Sequence, residues 1–222
     1  MQTEKVLILL DMNETLILRR RELIECQTTP NLRAAKYVYF RPGYEDLLYK
    51  LLTHPKATVA IYSSMVLENI NFCIDGMMSH ERLAPLKTDL TLYFDKRYNA
   101  KDTSKKKKTT TMRDLHKVWE DSKCMGAYGE KNTIVIDNDQ RKIRNHKENA
   151  IVVDTFAPEH LINCKPNNHF YLNEFGDYLK NLLDDYKGDI REQLKNKPFK
   201  VDMERYNIID TRLPESAICE TI

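Results

Sequence analysis

Five consecutive apolar residues, Val6-Leu7-Ile8-Leu9-Leu10, run directly into a carboxylate, Asp11. An unbroken apolar run of this kind reads as a strand covered on both faces, as in parallel sheets. In an open α/β sheet, ligands bind in the crevice at the carboxyl ends of the strands, so the junction sets Asp11 at a reactive rim. Three further short runs end in the same polar way: Thr58-Val59-Ala60-Ile61-Tyr62 in Ser63-Ser64, Thr133-Ile134-Val135-Ile136 in Asp137-Asn138, and Ala150-Ile151-Val152-Val153 in Asp154. Helical patterns separate them, which is the signature of a mainly parallel sheet in an α/β fold.

Helical spacing is carried by Tyr44, Leu47, Leu48, Leu51 and Leu52 after Pro42-Gly43. It recurs between Met65 and Met78, at Met112, Leu115, Val118 and Trp119, and from Phe175 through Tyr178, Leu179, Leu182 and Leu183 to Tyr186. Two stretches interrupt the alternation. Residues 16–40 contain Arg19, Arg20, Arg21 and Arg33 and end in β-prone Tyr37-Val38-Tyr39-Phe40, which predicts a flap inserted after the first strand and overhanging the crevice. Residues 101–111, Lys-Asp-Thr-Ser-Lys-Lys-Lys-Lys-Thr-Thr-Thr, hold nothing apolar and predict a solvated basic loop. The reading is one domain over 1–197 followed by an extension over 198–222, where the apolar pattern dissolves.

Composition bounds the rest. At 222 residues, with 31% charged and 41% hydrophobic residues, the chain suits one globular domain with a real core. A net charge of +2 does not favour nucleic acid as a partner. No apolar run approaches the roughly 20 residues of a membrane span, and the first one ends too soon for a secretory signal. Five scattered cysteines (Cys26, Cys73, Cys124, Cys164 and Cys219) form no Cys-x-x-Cys pair. They fit a reducing compartment, hence an intracellular protein of nucleus or cytoplasm. The six histidines show no metal-binding spacing.

Phosphoryl transfer needs a carboxylate nucleophile, a hydroxyl and a cation to hold phosphate, and oxygen ligands for Mg²⁺. The strand ends supply Asp11, then Ser63 with Ser64, then Asp137 with Asn138; Lys101 is a candidate cation. Ser63-Ser64 reads equally as a helix cap.

Asp11-Met12-Asn13-Glu14-Thr15-Leu16 resembles the Asp-x-Asp-x-Thr signature of the haloacid dehalogenase superfamily, and within it the small carboxy-terminal-domain phosphatases, the SCP/FCP or NLI-interacting-factor-like branch. Arg41-Pro42-Gly43, Ile61-Tyr62-Ser63-Ser64 and Asp137-Asn138 followed by Glu148-Asn149-Ala150-Ile151-Val152-Val153 extend the resemblance, and Lys101-Asp102-Thr103-Ser104 is similar to the branch's Lys-Asp-Leu-Ser. The resemblance implies a Rossmann-like three-layer α/β sandwich with a small flap and no large cap domain. It implies Asp11 as the nucleophile of an aspartyl-phosphate intermediate, and Mg²⁺ held by Asp11, the Asn13 carbonyl and Asn138. Ser63 would bond the phosphate, Lys101 would neutralise its charge, Asp137 would orient Lys101, and Thr15 would brace the turn. The implied substrate is phosphoserine or phosphothreonine in a flexible protein segment, such as the tail of RNA polymerase II.

Asn13 departs from the pattern, which has there an aspartate that protonates the leaving oxygen and then activates water. An amide does neither, and losing a positioned general acid costs about 10²–10⁴-fold in rate. Three explanations stand: Glu14, Asp139 or a flap residue takes over the proton; the chain is a phosphate-binding pseudoenzyme; or Asn13 is an engineered substitution. A small-molecule phosphatase is a further, weaker alternative. Arg19, Arg20 and Arg21 read either as a grip on a phosphopeptide or as charges that keep the flap edge from pairing. The four-lysine run reads as a solvated loop, with nuclear import or an acidic partner as sharper readings. Oligomeric state stays open.

Overall fold

A computed structural model describes residues 4–26, 28–33, 35–104, 111–162 and 167–200. The central sheet has five strands in the order β10-β9-β1-β5-β6. They span β1 (Val6–Leu10), β5 (Ala57–Tyr62), β6 (Leu92–Phe94), β9 (Thr133–Asp137) and β10 (Ala150–Val152). Every pairing in it is parallel. β1 lies at the centre, in register with β5 through Leu10↔Ile61 and with β9 through Leu10↔Ile136. All five β1 residues are buried, as an apolar run with no polar side requires.

Alternate β1 residues feed two cores. Val6, Ile8 and Leu10 pack in the larger layer, with α1 (Tyr44–Leu52), α2 (Leu67–Met77) and α5 (Asn167–Asp184). Leu7 and Leu9 face the smaller layer, where Tyr62, Phe94, Ile143 and the short α3 (Leu115–Trp119) lie. The result is the three-layer α/β architecture expected, with a wholly parallel central sheet. A four-residue helix, α4 (Glu159–Ile162), and α6 (Ile190–Asn196) complete the α-helices among the described residues.

Two smaller sheets hang near the rim. The flap is three-stranded, β2 (Ile17–Arg20), β4 (Lys36–Phe40) and β3 (Asn31–Arg33), antiparallel throughout. It docks closely on α2: a Cβ on Gly76 would lie 2.7 Å from the tip of the Phe40 ring. The second is a hairpin, β7 (Asn99–Lys101) with β8 (Thr111–Arg113).

That hairpin corrects two expectations. Met112 lies in β8, so the helical stripe starting there shrinks to the five residues of α3; a following Asp114 in extended backbone ends the strand before the helix can start. Nor is 101–111 wholly a solvated loop. Lys101 and Thr111 are paired, and Asp102 is fully buried, bonded by Arg141, Arg144 and Ser104. Lys105–Lys108, Cys164, Cys219 and the extension from residue 201 onward lie outside the described residues. Phe199 packs on Tyr171, Phe175 and Tyr178.

Candidate active site

β1 delivers Asp11 to the rim between β5 and β9, and its N–H bonds the Ile136 carbonyl at 2.9 Å. The chain then turns tightly. The Met12 carbonyl accepts from the N–H groups of Thr15, Leu16 and Ile17, and Glu14 adopts a left-handed backbone with φ 64°. Arg41 clamps this turn from outside: its guanidinium donates to the carbonyls of Thr15 (3.2 Å) and Asp154 (2.8 Å) and lies over the rings of Tyr171 and Phe156. The Arg41-Pro42-Gly43 landmark is therefore a support of the turn rather than a group that faces the crevice.

Asp11 is 2% exposed, and both of its oxygens are bonded. Thr15 Oγ1 donates to Oδ2 at 3.2 Å, and Arg113 donates to Oδ1 at 2.5 Å. Thr15 Oγ1 also lies 3.5 Å from Asn138 Oδ1, so the ends of β1 and β9 meet through one hydroxyl. Asn138 Nδ2 donates to Thr155 Oγ1 at 3.2 Å. Asp137 is fully buried; it accepts from Arg113 Nε at 2.8 Å and from the Asp139 N–H at 2.9 Å, with Lys142 Nζ 3.7 Å away. Burial drives the Asp11 carboxyl up to about 6; the Asp137 charge adds to this, while Arg113, Lys142 and the Met12 N–H oppose it.

Arg113 is the hub of the site. It comes from β8, is fully buried, spans Asp11 and Asp137, and donates to Asn99 Oδ1 at 3.1 Å. Its guanidinium lies 4.6 Å from the Tyr62 ring centroid. Asn99 Nδ2 in turn donates to the Ser63 carbonyl at 3.3 Å, which ties β5 into the same network. Lys142, the other cation beside Asp137, has 20% of its side chain exposed.

The other predicted residues sit as follows. Ser63 is buried, and its Oγ accepts from the Met65 N–H at 3.3 Å in a local turn; it does not cap α2, whose N-cap is Val66 with no side-chain bond. Ser64 is exposed and 3.3 Å from the Thr111 hydroxyl. Arg19 reaches Met65 Sδ at 2.7 Å, Arg20 pairs with Glu14 at 3.3 Å, and Arg21 is exposed. Asn13 is half-buried.

Lys101 is exposed at the end of β7, opposite Thr111, while Arg113, opposite Asn99, occupies the buried position between the two aspartates. The register sets Lys101 on the same face of the hairpin as Asn99 and Arg113, two residues further towards its tip. A signal for Arg113 was present. Arg113-Asp114-Leu115-His116 repeats the basic-Asp-Leu core of Lys-Asp-Leu-Ser, and it matches the leucine that Lys101-Asp102-Thr103-Ser104 lacks. Asp102, next to Lys101, has a structural task, joining the hairpin to the loop after β9 through Arg141 (2.8 Å) and Arg144 (2.9 Å).

The donor chemistry suits a hard cation. Asp11 and Asn138 offer side-chain oxygens on either side of Thr15, and the turn's hydrogen bonds run through the Met12 and Ile17 carbonyls rather than that of Asn13. Among the described residues no group of three or more His, Cys, Asp or Glu side chains gathers as an alternative metal site.

What the rim and sheet define together is a class, a parallel α/β scaffold with a buried carboxylate at the carboxyl end of its central strand. The model of the NLI interacting factor-like phosphatases matches residues 6–191, and the chain belongs to that family. No curated protein matches it. Among solved structures it is similar to the fission yeast RNA polymerase II CTD phosphatase Fcp1, in an arginine-to-alanine variant bound to beryllium fluoride, at 12% identity and a TM-score of 0.46 over 88% of this chain and 56% of that one. A second structure of Fcp1, described as an essential RNA polymerase II CTD phosphatase, is similar at 12% identity and TM-score 0.46, covering 90% of this chain and 56% of that one. The chain thus spans little more than half the length of the proteins it resembles in structure. No helix among the described residues is long and apolar enough to cross a membrane.

Proposed function

We propose that the chain is a phosphatase in which Asp11 takes a phosphoryl group from a phosphorylated side chain of a protein segment and passes it to water. The observation that carries this reading is the Asp11 carboxylate at the end of the central strand, aimed by Thr15 on one oxygen and Arg113 on the other. With its carboxyl at about 6, Asp11 is ionised at neutral pH and able to attack phosphorus. Arg113 fixes the carboxylate's plane and keeps Asp137 compensated, so the nucleophile needs little reorganisation. Lys142, 3.7 Å from Asp137 and partly exposed, would supply a cation to meet charge on a phosphoryl oxygen. Asp11, the Asn13 carbonyl and Asn138 would hold Mg²⁺, which when bound offsets phosphate charge and fixes the group in line for attack.

Hydrolysis of 4-nitrophenyl phosphate tests the reading. Turnover should need Mg²⁺ and vanish in Asp11→Asn; an Asp11→Asn chain working at the parent rate would refute it. The amide at Asn13 favours a second reading, a module that retains a phosphorylated or acidic segment without releasing phosphate. It predicts phosphopeptide binding with no phosphate release in the parent chain, and release appearing in Asn13→Asp.

A further inference from the structure

Each half of the reaction above moves a proton: one to the departing oxygen, one away from the attacking water. Of the carboxyls that the rim loops carry besides Asp11, three are engaged elsewhere, while Asp154 is exposed at the end of β10 and held there by its backbone, its N–H on the Tyr171 hydroxyl and its carbonyl on Arg41. Glu14, turned by its left-handed backbone, pairs with Arg20 at 3.3 Å. Asp139 accepts from the Arg141 N–H at 2.9 Å and from its guanidinium at 2.8 Å. Asp137 is fully buried between Arg113, Lys142 and the Asp139 N–H. The described imidazoles are also occupied: His54 with Asp184, His80 against Tyr44, His116 and His146 against Trp119, and His160 at the Ala157 N–H. None of these carboxyl or imidazole side chains is hydrogen-bonded to Asp11, whose side-chain partners among the described residues are Thr15 and Arg113, so none replaces the proton carrier that Asn13 cannot be.

We infer that the site selects its substrate by leaving group. It takes phosphoryl from an oxygen that departs as a stable anion, the phenolate of phosphotyrosine or of another aryl phosphate, and discriminates against serine and threonine phosphates. The inference rests on the phosphatase reading of Asp11. In the first half, an Asp11 carboxylate oxygen attacks phosphorus and the bond to the leaving oxygen breaks, its electron pair staying on that oxygen. A phenol, with a pKa of about 10, leaves unprotonated far more readily than an aliphatic alcohol, which is nearer to water at about 15.7. In the second half, water attacks the phosphorus of the aspartyl-phosphate. The electron pair returns to Asp11, and the water's proton passes to solvent. The Asn13 amide can hydrogen-bond that water but cannot accept its proton, so the second half is slow and phosphoenzyme accumulates.

The experiment is a leaving-group series in Mg²⁺ buffer: aryl phosphates of graded phenol pKa, and one peptide carrying either phosphotyrosine or phosphoserine. kcat/KM reads the first half-reaction, and should fall steeply with leaving-group pKa. Phosphoserine should lie about 10²-fold or more below phosphotyrosine, with a burst of one phenolate per chain on the best aryl phosphates. Asn13→Asp should narrow the gap by raising the phosphoserine value about 10²–10⁴-fold. A flat series, or phosphoserine equal to phosphotyrosine in the parent chain, overturns the inference while leaving the phosphatase reading intact. Absence of any Asp11-dependent burst or turnover across the series refutes the phosphatase reading itself. The series on the parent chain decides even if the Asn13→Asp variant fails to fold.

Discussion

Arg113 is the side chain on which the site's charge balance turns. It is fully buried against Asp11 and Asp137, so removing its charge leaves two carboxylates facing each other in a dry crevice. Breaking a buried pair in this way costs about 3–5 kcal/mol. We expect that loss for Arg113→Met in urea unfolding, and a smaller one for Arg113→Lys, which keeps the charge but cannot span both carboxylates and Asn99 at once. Equal losses in the two variants would show that the fork geometry, and not the charge, is what matters. Asp11 carries the opposite sign of effect. Its carboxyl is raised from 3.8 to about 6, so the folded chain binds a proton that the unfolded chain has released. In metal-free buffer its contribution to stability is therefore fully present below pH 3.8 and lost as pH rises to about 6, about 3 kcal/mol in all. Asp11→Asn should remove this slope, and a Tm difference between the two chains that stays constant from pH 4 to 6 would contradict it. Asp11, Thr15, Asp137 and Asn138 were legible in the sequence because each sits at or just beyond a strand end, where local pattern fixes position. Arg113 was not, because it arrives from a hairpin whose facing is decided by packing, and two similar tetrapeptides competed for the part.

Elements hold the rim through a few long side chains. Arg41 joins the turn after β1 to the end of β10 and to α5 by donating to two carbonyls under the Tyr171 ring. Arg41→Ala strands both carbonyls without their donor, and should cost about 3 kcal/mol in unfolding free energy. On the other side, neutral His146 accepts from the Leu115 N–H at 3.2 Å and so caps α3, the helix that follows Arg113. Burial, then the neighbouring His116, hold its imidazole below 6.5. The cap is thus fully present above pH 6.5 and lost as pH falls through the lower folded value. His146→Phe should unfold at a lower temperature than the parent at pH 8, and the gap should close towards pH 5. A gap that persists at pH 5 would remove the cap from the account. At this scale the long apolar runs β1, β5 and β9 and the helices α1, α2 and α5 were readable from periodicity alone. The three-residue β10 was readable too, from its unbroken apolar run, whereas β6, β7 and β8 were not: Leu92-Tyr93-Phe94 is short, Asn99-Ala100-Lys101 and Thr111-Met112-Arg113 carry little apolar pattern, and it is pairing that makes them.

Across the whole molecule, the sheet divides two cores and leaves its carboxyl edge as the place where the ends of β1, β5 and β9 meet the β7–β8 hairpin. A ligand that binds only when this edge is assembled stabilises the entire fold, by about 2.7 kcal/mol at a hundred times its dissociation constant. Beryllium fluoride with Mg²⁺, as a phosphoryl mimic on Asp11, should therefore raise Tm in the parent chain and leave Asp11→Ala unmoved; an equal rise in both would place the ligand elsewhere. The single tryptophan of the chain lies at the other end of α3 from Arg113, against the start of β9. Trp119 closes α3, donates its indole N–H to Thr133 Oγ1 at 3.0 Å, and has the rings of His116 and His146 edge-on at 5.2 and 6.0 Å. A protonated imidazole beside an indole dims its emission. The molecule thus carries its own optical gauge, one fluorophore whose brightness follows the state of the segment that holds the central guanidinium, with no label added.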